Sequence, residues 1–240
     1  HLYNMEGFGS NGRLRVGLSL YGATKSALRF LSRSLTKETK GTLVKVSTIS
    51  PGIVITELLT DPKPGLIIMD ASTSEPSTTL RLAELAAEKG ARIADIPLTR
   101  GPAEAEAGTV NVLVGADDDL YAEIEPIIKC FADNIYRCGG LGAGHIIKLI
   151  NNTAFQAALT ILAEGFAVAV KSGVDPSKLT EVLSGGGFAN GGTLRIMEDS
   201  LNGKFDTLRF QLDNARKDVR YYTRMAGELA VPAMVGDGIH

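Results

Sequence analysis

The sequence predicts an α/β fold in which a mostly parallel sheet, covered by helices, is followed by an all-α C-terminal part. Two observations carry the prediction. Over residues 65–139, apolar runs of strand length alternate with stretches of helical period, the order that builds parallel strands joined by crossover helices. From Gly144 onward no run reads as a strand, and apolar residues recur at helical spacing. A chain of 240 residues has room for one such domain or two smaller ones, each able to bury a core.

The elements follow in order. "HLYNM" is a short strand that runs into the glycine-rich "GFGSNG" at residues 7–12. "YGATKSALRFLSRSLTKE", residues 21–38, sets Ala27, Leu28, Leu31 and Leu35 on one face of an amphipathic helix. "VKVSTIS", residues 44–50, alternates like a strand and stops at Pro51-Gly52, and "TDPKPG", residues 60–65, is the best linker in the chain. Beyond it come a strand in "GLIIMDAS", a helix in "STTLRLAELAAEKG", strands in "ARIADIPL" and "GTVNVLVGA", a helix in "DDDLYAEIEPIIKCFAD" and a short strand in "IYRCG". The acids Asp117, Asp118 and Asp119 read as caps on a helix N-terminus, whose unpaired N–H groups and dipole favour negative charge, ahead of a metal cluster. Four helices are expected near 144–172, 176–184, 193–200 and 206–230.

Bulk properties exclude several classes. With 25 basic and 27 acidic residues there is no electrostatic footprint for nucleic acid. Cys130 and Cys138 belong to no metal-spaced set and suggest no disulfide framework, which fits a reducing, cytoplasmic setting. No basic stretch followed by an apolar run marks a signal peptide. The most apolar window, "TAFQAALTILAEGFAVAV" at residues 153–170, holds Gln156 and Glu164 and reads as a buried interdomain or dimer helix, not a bilayer span. The chain opens in mid-strand with His1, as a fragment or a joined sequence would.

"GFGSNG" spells G-x-G-x-x-G, the turn that seats a dinucleotide pyrophosphate when a strand enters it and a helix leaves it. "RLRVGLSL", which follows, has no helical period, and no acid stands about twenty residues on, so a plain glycine-rich loop is the better reading. Tyr21 and Lys25, four apart on the next helix, share a face. An ammonium there favours the phenolate and prepares the tyrosine to move a proton, although a surface pair at this spacing is common. With its context, "NMEGFGSNG…YGATKSALRFLSRSLTKE…VKVSTISPGIVITELL", this stretch resembles the short-chain dehydrogenase/reductase family, most of all its chlorophyll b reductase group. That resemblance implies that Pro51, Gly52 and Thr56 lie against a nicotinamide. It covers residues 1–60 only, lacks the family's N-terminal cofactor turn, and has Gly7 or Phe8 where the partner serine belongs, with Ser10 the nearest hydroxyl.

The stronger constellation is "GGLGAGHIIKLINN", residues 139–152, with Gly139, Gly142, Gly144, Lys148 and Asn152 spelling G-x-x-G-x-G-x-x-x-K-x-x-x-N. The glycines permit a tight turn into a long helix, from which Lys148 and Asn152 project one turn apart. An ammonium can protonate a carbonyl oxygen as hydride arrives, and an amide can orient the substrate. His145 shares the face of Lys148, and a packed or solvated role is favoured for it over tuning the lysine. The motif resembles the β-hydroxyacid dehydrogenase family, which includes 3-hydroxyisobutyrate dehydrogenase, and the likeness runs from about residue 65 to the C-terminus. It implies that Thr73, in the D-x-S-T-like "DAST", sits near the cofactor. It also implies that Thr99, Arg100 and Gly101 stand where an S-G-G segment binds the substrate carboxylate, and that Lys217, supported by Asp218, lies by the nicotinamide. Arg100 in place of a glycine either adds a bidentate carboxylate partner or blocks the usual pose.

Each resemblance lacks its dinucleotide cradle, so the chain reads as a chimera: a short-chain-type fragment at 1–60, a truncated Rossmann-like segment at 61–141 and a helical domain at 142–240. The first expectation is an NAD- or NADP-dependent oxidoreductase interconverting a small hydroxy acid and its aldehyde or keto acid, acting as a homodimer through helix 153–170. Two alternatives stand beside it: a non-catalytic structural or binding protein, and a carbonyl reductase using Tyr21 and Lys25.

Overall fold

A computed structural model describes residues 2–5, 46–49, 64–187, 191–208 and 210–240. Two compact units divide the chain, one ending at Lys148 and the other beginning at Leu149. The glycine-rich loop, Tyr21, Lys25, Pro51, Gly52 and Thr56 all lie outside the described residues.

In the first unit, β1 (Leu2–Met5) pairs in parallel with β2 (Val46–Ile49), and β1 packs alongside β3 (Ile67–Asp70). The next strand, β4 (Arg92–Asp95), is parallel to β3, with Ile67 opposite Arg92 and Asp70 opposite Asp95. Between them runs α1 (Pro76–Ala87), opened by a proline whose missing N–H costs nothing in a first helical turn. Alternation along the strands divides the core between the two sheet faces. Ile68 and Ile93 pack with Leu66, Ala86 and Ala91, while Met69, Ala94 and Ile96 pack with Val112, Val114, Leu120, Ile124 and Ile128.

Past Asp95 the sheet departs from the parallel expectation. The chain continues as β5 (Leu98–Thr99), and β6 (Val110–Gly115) returns antiparallel to both β4 and β5. Residues 100–109 join β5 to β6 and include only the short helix α2 (Pro102–Glu106), whereas a parallel crossover takes a dozen residues or more. The parallel direction is restored by β7 (Ala132–Gly139), which pairs with β6. Its helix, α3 (Asp118–Ile128), is capped by Asp117, whose carboxylate accepts the Leu120 N–H at 2.8 Å. The helix expected to reach Asp133 stops at Ile128, because Ala132 is already paired with Val110 in the sheet.

The second unit is helical. The long helix α4 (Ala143–Lys171) begins in the first unit and continues into the second, where Leu159, Leu162 and Phe166 are buried. Then follow α5 (Pro176–Gly185), α6 (Gly191–Leu201), α7 (Leu212–Glu228) and α8 (Met234–Ile239). The expected last helix thus starts at Leu212 instead of residue 206, and a short helix follows it. On α4, Ile161, Val168 and Val170 are at least half exposed, at 54%, 65% and 50%.

The motif glycines at the head of α4 each answer a physical demand. Gly139 and Gly142 adopt φ of 135° and 90°, left-handed values that a Cβ penalises. Gly144 is required for space instead: a Cβ there would stand 2.5 Å from the Leu113 carbonyl oxygen and 2.8 Å from Asp95 Oδ2. Gly144→Ala is therefore expected to destabilise the protein by about 1–3 kcal/mol in urea unfolding. Gly140→Ala, where a Cβ meets nothing within 4 Å, should stay within about 0.5 kcal/mol of the parent; equal effects would remove the steric account.

Candidate functional site

Asp70 ends β3, and its Oδ1 accepts the Ser72 N–H at 2.9 Å, closing the turn that carries half-buried Thr73. This turn lies at the carboxyl edge of parallel strands, where open α/β sheets bind ligands. Beside it in sheet order, fully buried Asp95 faces the start of α4 and accepts the Gly142 N–H at 2.6 Å and the His145 N–H at 2.7 Å. Those are amides of a helix N-terminus that lack partners within the helix, and the carboxylate meets both them and the dipole. Burial pushes the Asp95 carboxyl up from its ordinary range, and His145 and the two amides oppose that.

The imidazole of His145 is fully buried, with Nε2 3.1 Å from the Ser72 carbonyl oxygen and Nδ1 2.9 Å from Thr79 Oγ1. A carbonyl cannot donate, so Nε2 carries a hydrogen. His145 is packed, as the sequence favours. Lys148, half-buried, follows it at the next position on that side of α4.

Two donors of the Thr99–Gly101 segment are engaged. Arg100 sits at φ 73°, and its Nη1 donates to Thr109 O at 2.6 Å and to Asp133 Oδ2 at 2.8 Å. The Gly101 N–H donates to Glu104 Oε2 at 2.9 Å. The Glu104 carboxyl is held below its usual range by its own backbone amide first and by that of Gly101 next. Thr99 pairs with Asn111 at the end of β5.

In the second unit, Asn152 Nδ2 donates to Asp218 Oδ2 at 2.6 Å. Asp218 is only 2% exposed, and its other oxygen lies 2.7 Å from Lys217 Nζ as an ion pair. The same ammonium stands 4.8 Å from the centre of the Tyr221 ring. Asp218 thereby fixes the Asn152 amide and neutralises the neighbouring cation. Sequence reasoning placed Asp218 in support of Lys217; the bond to Asn152 it missed, since 66 residues separate the pair. It also missed Asp95, for which a carboxylate inside an otherwise apolar stretch was the available signal, and Thr79, which stands in a polar run and carried none.

Arg100 offers a clean test of the backbone geometry. A left-handed residue costs an L side chain about 1–2 kcal/mol. Arg100→Ala loses the guanidinium contacts and keeps that strain, whereas Arg100→Gly loses them and sheds it. The glycine variant should be the more stable of the two by about 1 kcal/mol in urea unfolding. The ordinary order, alanine above glycine, would contradict it.

Residues 40–140 match the model for the NAD binding domain of 6-phosphogluconate dehydrogenase. Residues 142–240 match that for NAD-binding of NADP-dependent 3-hydroxyisobutyrate dehydrogenase, and residues 10–65 match short chain dehydrogenase. A 2-(hydroxymethyl)glutarate dehydrogenase of Eubacterium barkeri is 37% identical over 121 residues, 50% of this chain and 40% of that protein. A 3-hydroxyisobutyrate dehydrogenase of Pseudomonas aeruginosa is 36% identical over 126 residues, 51% of this chain and 42% of its own length. The chain thus spans about two-fifths of these curated relatives. In fold it is similar to a 3-hydroxyisobutyrate dehydrogenase structure from Salmonella typhimurium, with TM-score 0.68 and 19% identity over 100% of this chain and 92% of that one. One from Mycobacterium tuberculosis gives 0.66 and 24%, covering 74% and 63%. With the strand–helix segment matched over residues 40–140 and the helical domain over residues 142–240, the chain resembles the β-hydroxyacid dehydrogenase family.

Proposed function

We propose that this chain supplies the proton-transfer and substrate-orienting machinery of an NAD- or NADP-dependent dehydrogenase that interconverts a small hydroxy acid and its aldehyde or keto acid. The observation that carries the reading is the Asn152–Asp218–Lys217 arrangement, in which a buried carboxylate holds one amide and one cation in place. Lys148 is the proton donor to the carbonyl oxygen in the reducing direction, and Asn152, its amide fixed by Asp218, orients the substrate. The coenzyme, when bound, supplies or accepts the hydride. Thr73 on the strand-edge turn of the first unit would meet the coenzyme, and the family resemblance separately implies the same role for Lys217 in the second unit. The head of α4 is not available to its phosphates, since Asp95 already occupies the amides of Gly142 and His145.

Thr99, Arg100 and Gly101 take the substrate carboxylate in this reading. The carboxylate must exchange with Glu104 at the Gly101 N–H and with Asp133 at Arg100. A second reading, carbonyl reduction through Tyr21 and Lys25 with Pro51, Gly52 and Thr56 at the coenzyme, is favoured by the short chain dehydrogenase match at residues 10–65. We read the chain as a join of two nicotinamide-enzyme segments, a reading supported by the short chain dehydrogenase match at one end and the dehydrogenase matches over the rest. A non-catalytic binding role is the reading that remains if no coenzyme binds.

Fluorescence titration with NADH and NADPH, followed by absorbance at 340 nm with hydroxy acids, tests the assignment. Lys148→Ala should reduce turnover by about 10²–10⁴-fold, while Tyr21→Phe should leave it unchanged. The reverse pattern supports the second reading, and absence of coenzyme binding up to millimolar concentration supports the third.

The exposed Ile161, Val168 and Val170 on α4 support association through that helix, and a second copy of the chain, not a bilayer, is the partner we assign. Gln156 and Glu164 on the same helix argue against a lipid environment, and we propose a cytoplasmic location, supported by the free thiols of Cys130 and Cys138. Light scattering at micromolar concentration should report a dimer; a monomer mass would overturn the assignment.

A further inference from the structure

We propose that His145 is a positioning residue that couples the coenzyme-facing turn at Asp70–Thr73 to the first turn of the helix bearing Lys148. The inference rests on the dehydrogenase reading for the roles of Thr73 and Lys148, but the coupling itself is a matter of geometry within the first unit.

His145 is held at both ends. Its backbone N–H donates to Asp95 Oδ2 at 2.7 Å, which fixes the main chain of α4 against the end of β4. Its ring reaches away from that anchor, donating from Nε2 to the Ser72 carbonyl oxygen at 3.1 Å and meeting Thr79 Oγ1 through Nδ1 at 2.9 Å. Three elements therefore converge on one side chain: the turn after β3, the first turn of α1, and the head of α4.

The bond to Ser72 has a directional consequence. In a trans peptide the carbonyl of one residue and the N–H of the next lie in one plane and point opposite ways. The Ser72 N–H is already committed to Asp70 Oδ1 at 2.9 Å. With the Ser72 carbonyl drawn to His145, the plane joining Ser72 to Thr73 is fixed, and the Thr73 N–H is aimed away from the imidazole. Rotation of that plane would re-aim the amide of the residue assigned to the coenzyme. Lys148 rides on the same first turns of α4, so turn and lysine share one frame.

The frame survives either protonation state of the ring. In the neutral form the Thr79 hydroxyl donates to Nδ1. In the imidazolium, Nδ1 donates to Thr79, whose hydrogen turns to Glu75 O, 3.3 Å away. Asp70 Oδ2 at 3.9 Å from Nε2 and Asp95 Oδ2 at 4.0 Å from Nδ1 stand ready to balance that charge. The link to Ser72 is the same in both.

Two isosteres separate coupling from bulk stability, using the full chain. In His145→Gln the side-chain amide nitrogen falls near the place of Nε2 and can still donate to Ser72; in His145→Asn it reaches only the place of Nδ1 and Thr79. Both remove packing and both should lower the urea midpoint. Only His145→Asn should weaken NADH binding, by about tenfold, the worth of one such bond. His145→Gln should stay within about threefold of the parent. Thr79→Val, which spares the Ser72 link, should lower the midpoint without changing NADH affinity. Equal loss of NADH affinity in the Gln and Asn variants would overturn the proposal and leave His145 as a packing residue.

Should the parent protein bind no NADH, the dehydrogenase reading fails and the coupling is read by amide hydrogen exchange over residues 71–75. Protection retained in His145→Gln and lost in His145→Asn upholds it, and equal protection in the two overturns it.

Discussion

A fully buried carboxylate under the head of a long helix is the constraint around which the first unit is arranged. Removing a charge from water costs several kcal/mol even in a relaxed protein site, about what breaking a buried pair costs. Asp95 meets that cost with two amides of the α4 N-terminus and the nearby imidazole of His145. Those amides reach the carboxylate only if the helix presses directly onto the strand ends. A Cβ on Gly115 would fall 2.2 Å from Asp95 Oδ1, and one on Gly144 would collide with the Leu113 carbonyl. The two glycines keep the space around Asp95 clear from different sides: Gly115 on β6, paired with it in the sheet, and Gly144 on α4, pressed onto the strand ends.

The direction of the strands follows a different constraint, loop length. Two parallel pairs, β3 with β4 and β6 with β7, are joined by an antiparallel contact across a connection too short for a crossover. Asp95 lies at that change of direction, paired with Gly115. The reversal brings the ends of both strands to one place, and α4 starts over it. Topology and electrostatics therefore select the same spot for the helix that bears Lys148.

Much of this was legible in the residues. Alternating apolar runs marked β3, α1, β4 and β6, and the spacing of Gly139, Gly142, Gly144, Lys148 and Asn152 marked the head of α4, because these are local patterns with a local cause. The reversed β6 was not legible, since Val110–Gly115 has the same apolar character whichever way it runs. Neither was the end of α3, where pairing of Ala132 with Val110 overrides a segment that continues the helical pattern. Asp95 stands in an apolar run without any mark of its donors, which lie 47 and 50 residues away. Long-range polar pairs such as Asn152 with Asp218 leave no periodic trace, and only the family likeness hinted at the second partner.

The Thr99–Gly101 segment is held by charged side chains of its own surroundings. Arg100 occupies a left-handed position suited to glycine, and its guanidinium is drawn to Thr109 O and Asp133. Its neighbour's amide is taken by Glu104, whose carboxyl is held below its usual range and so remains ionised near neutrality. A substrate carboxylate taken here, as proposed above, would compete with two resident carboxylates, and neutral pH would not relieve that competition. The Arg100–Asp133 pair is exposed, where an ion pair is worth little, whereas the Glu104 contact is a half-buried bond to the Gly101 backbone. On the proposed reading, a ligand would have to offer an acceptor to the Gly101 amide and another to the Arg100 guanidinium, since each is held by a different carboxylate.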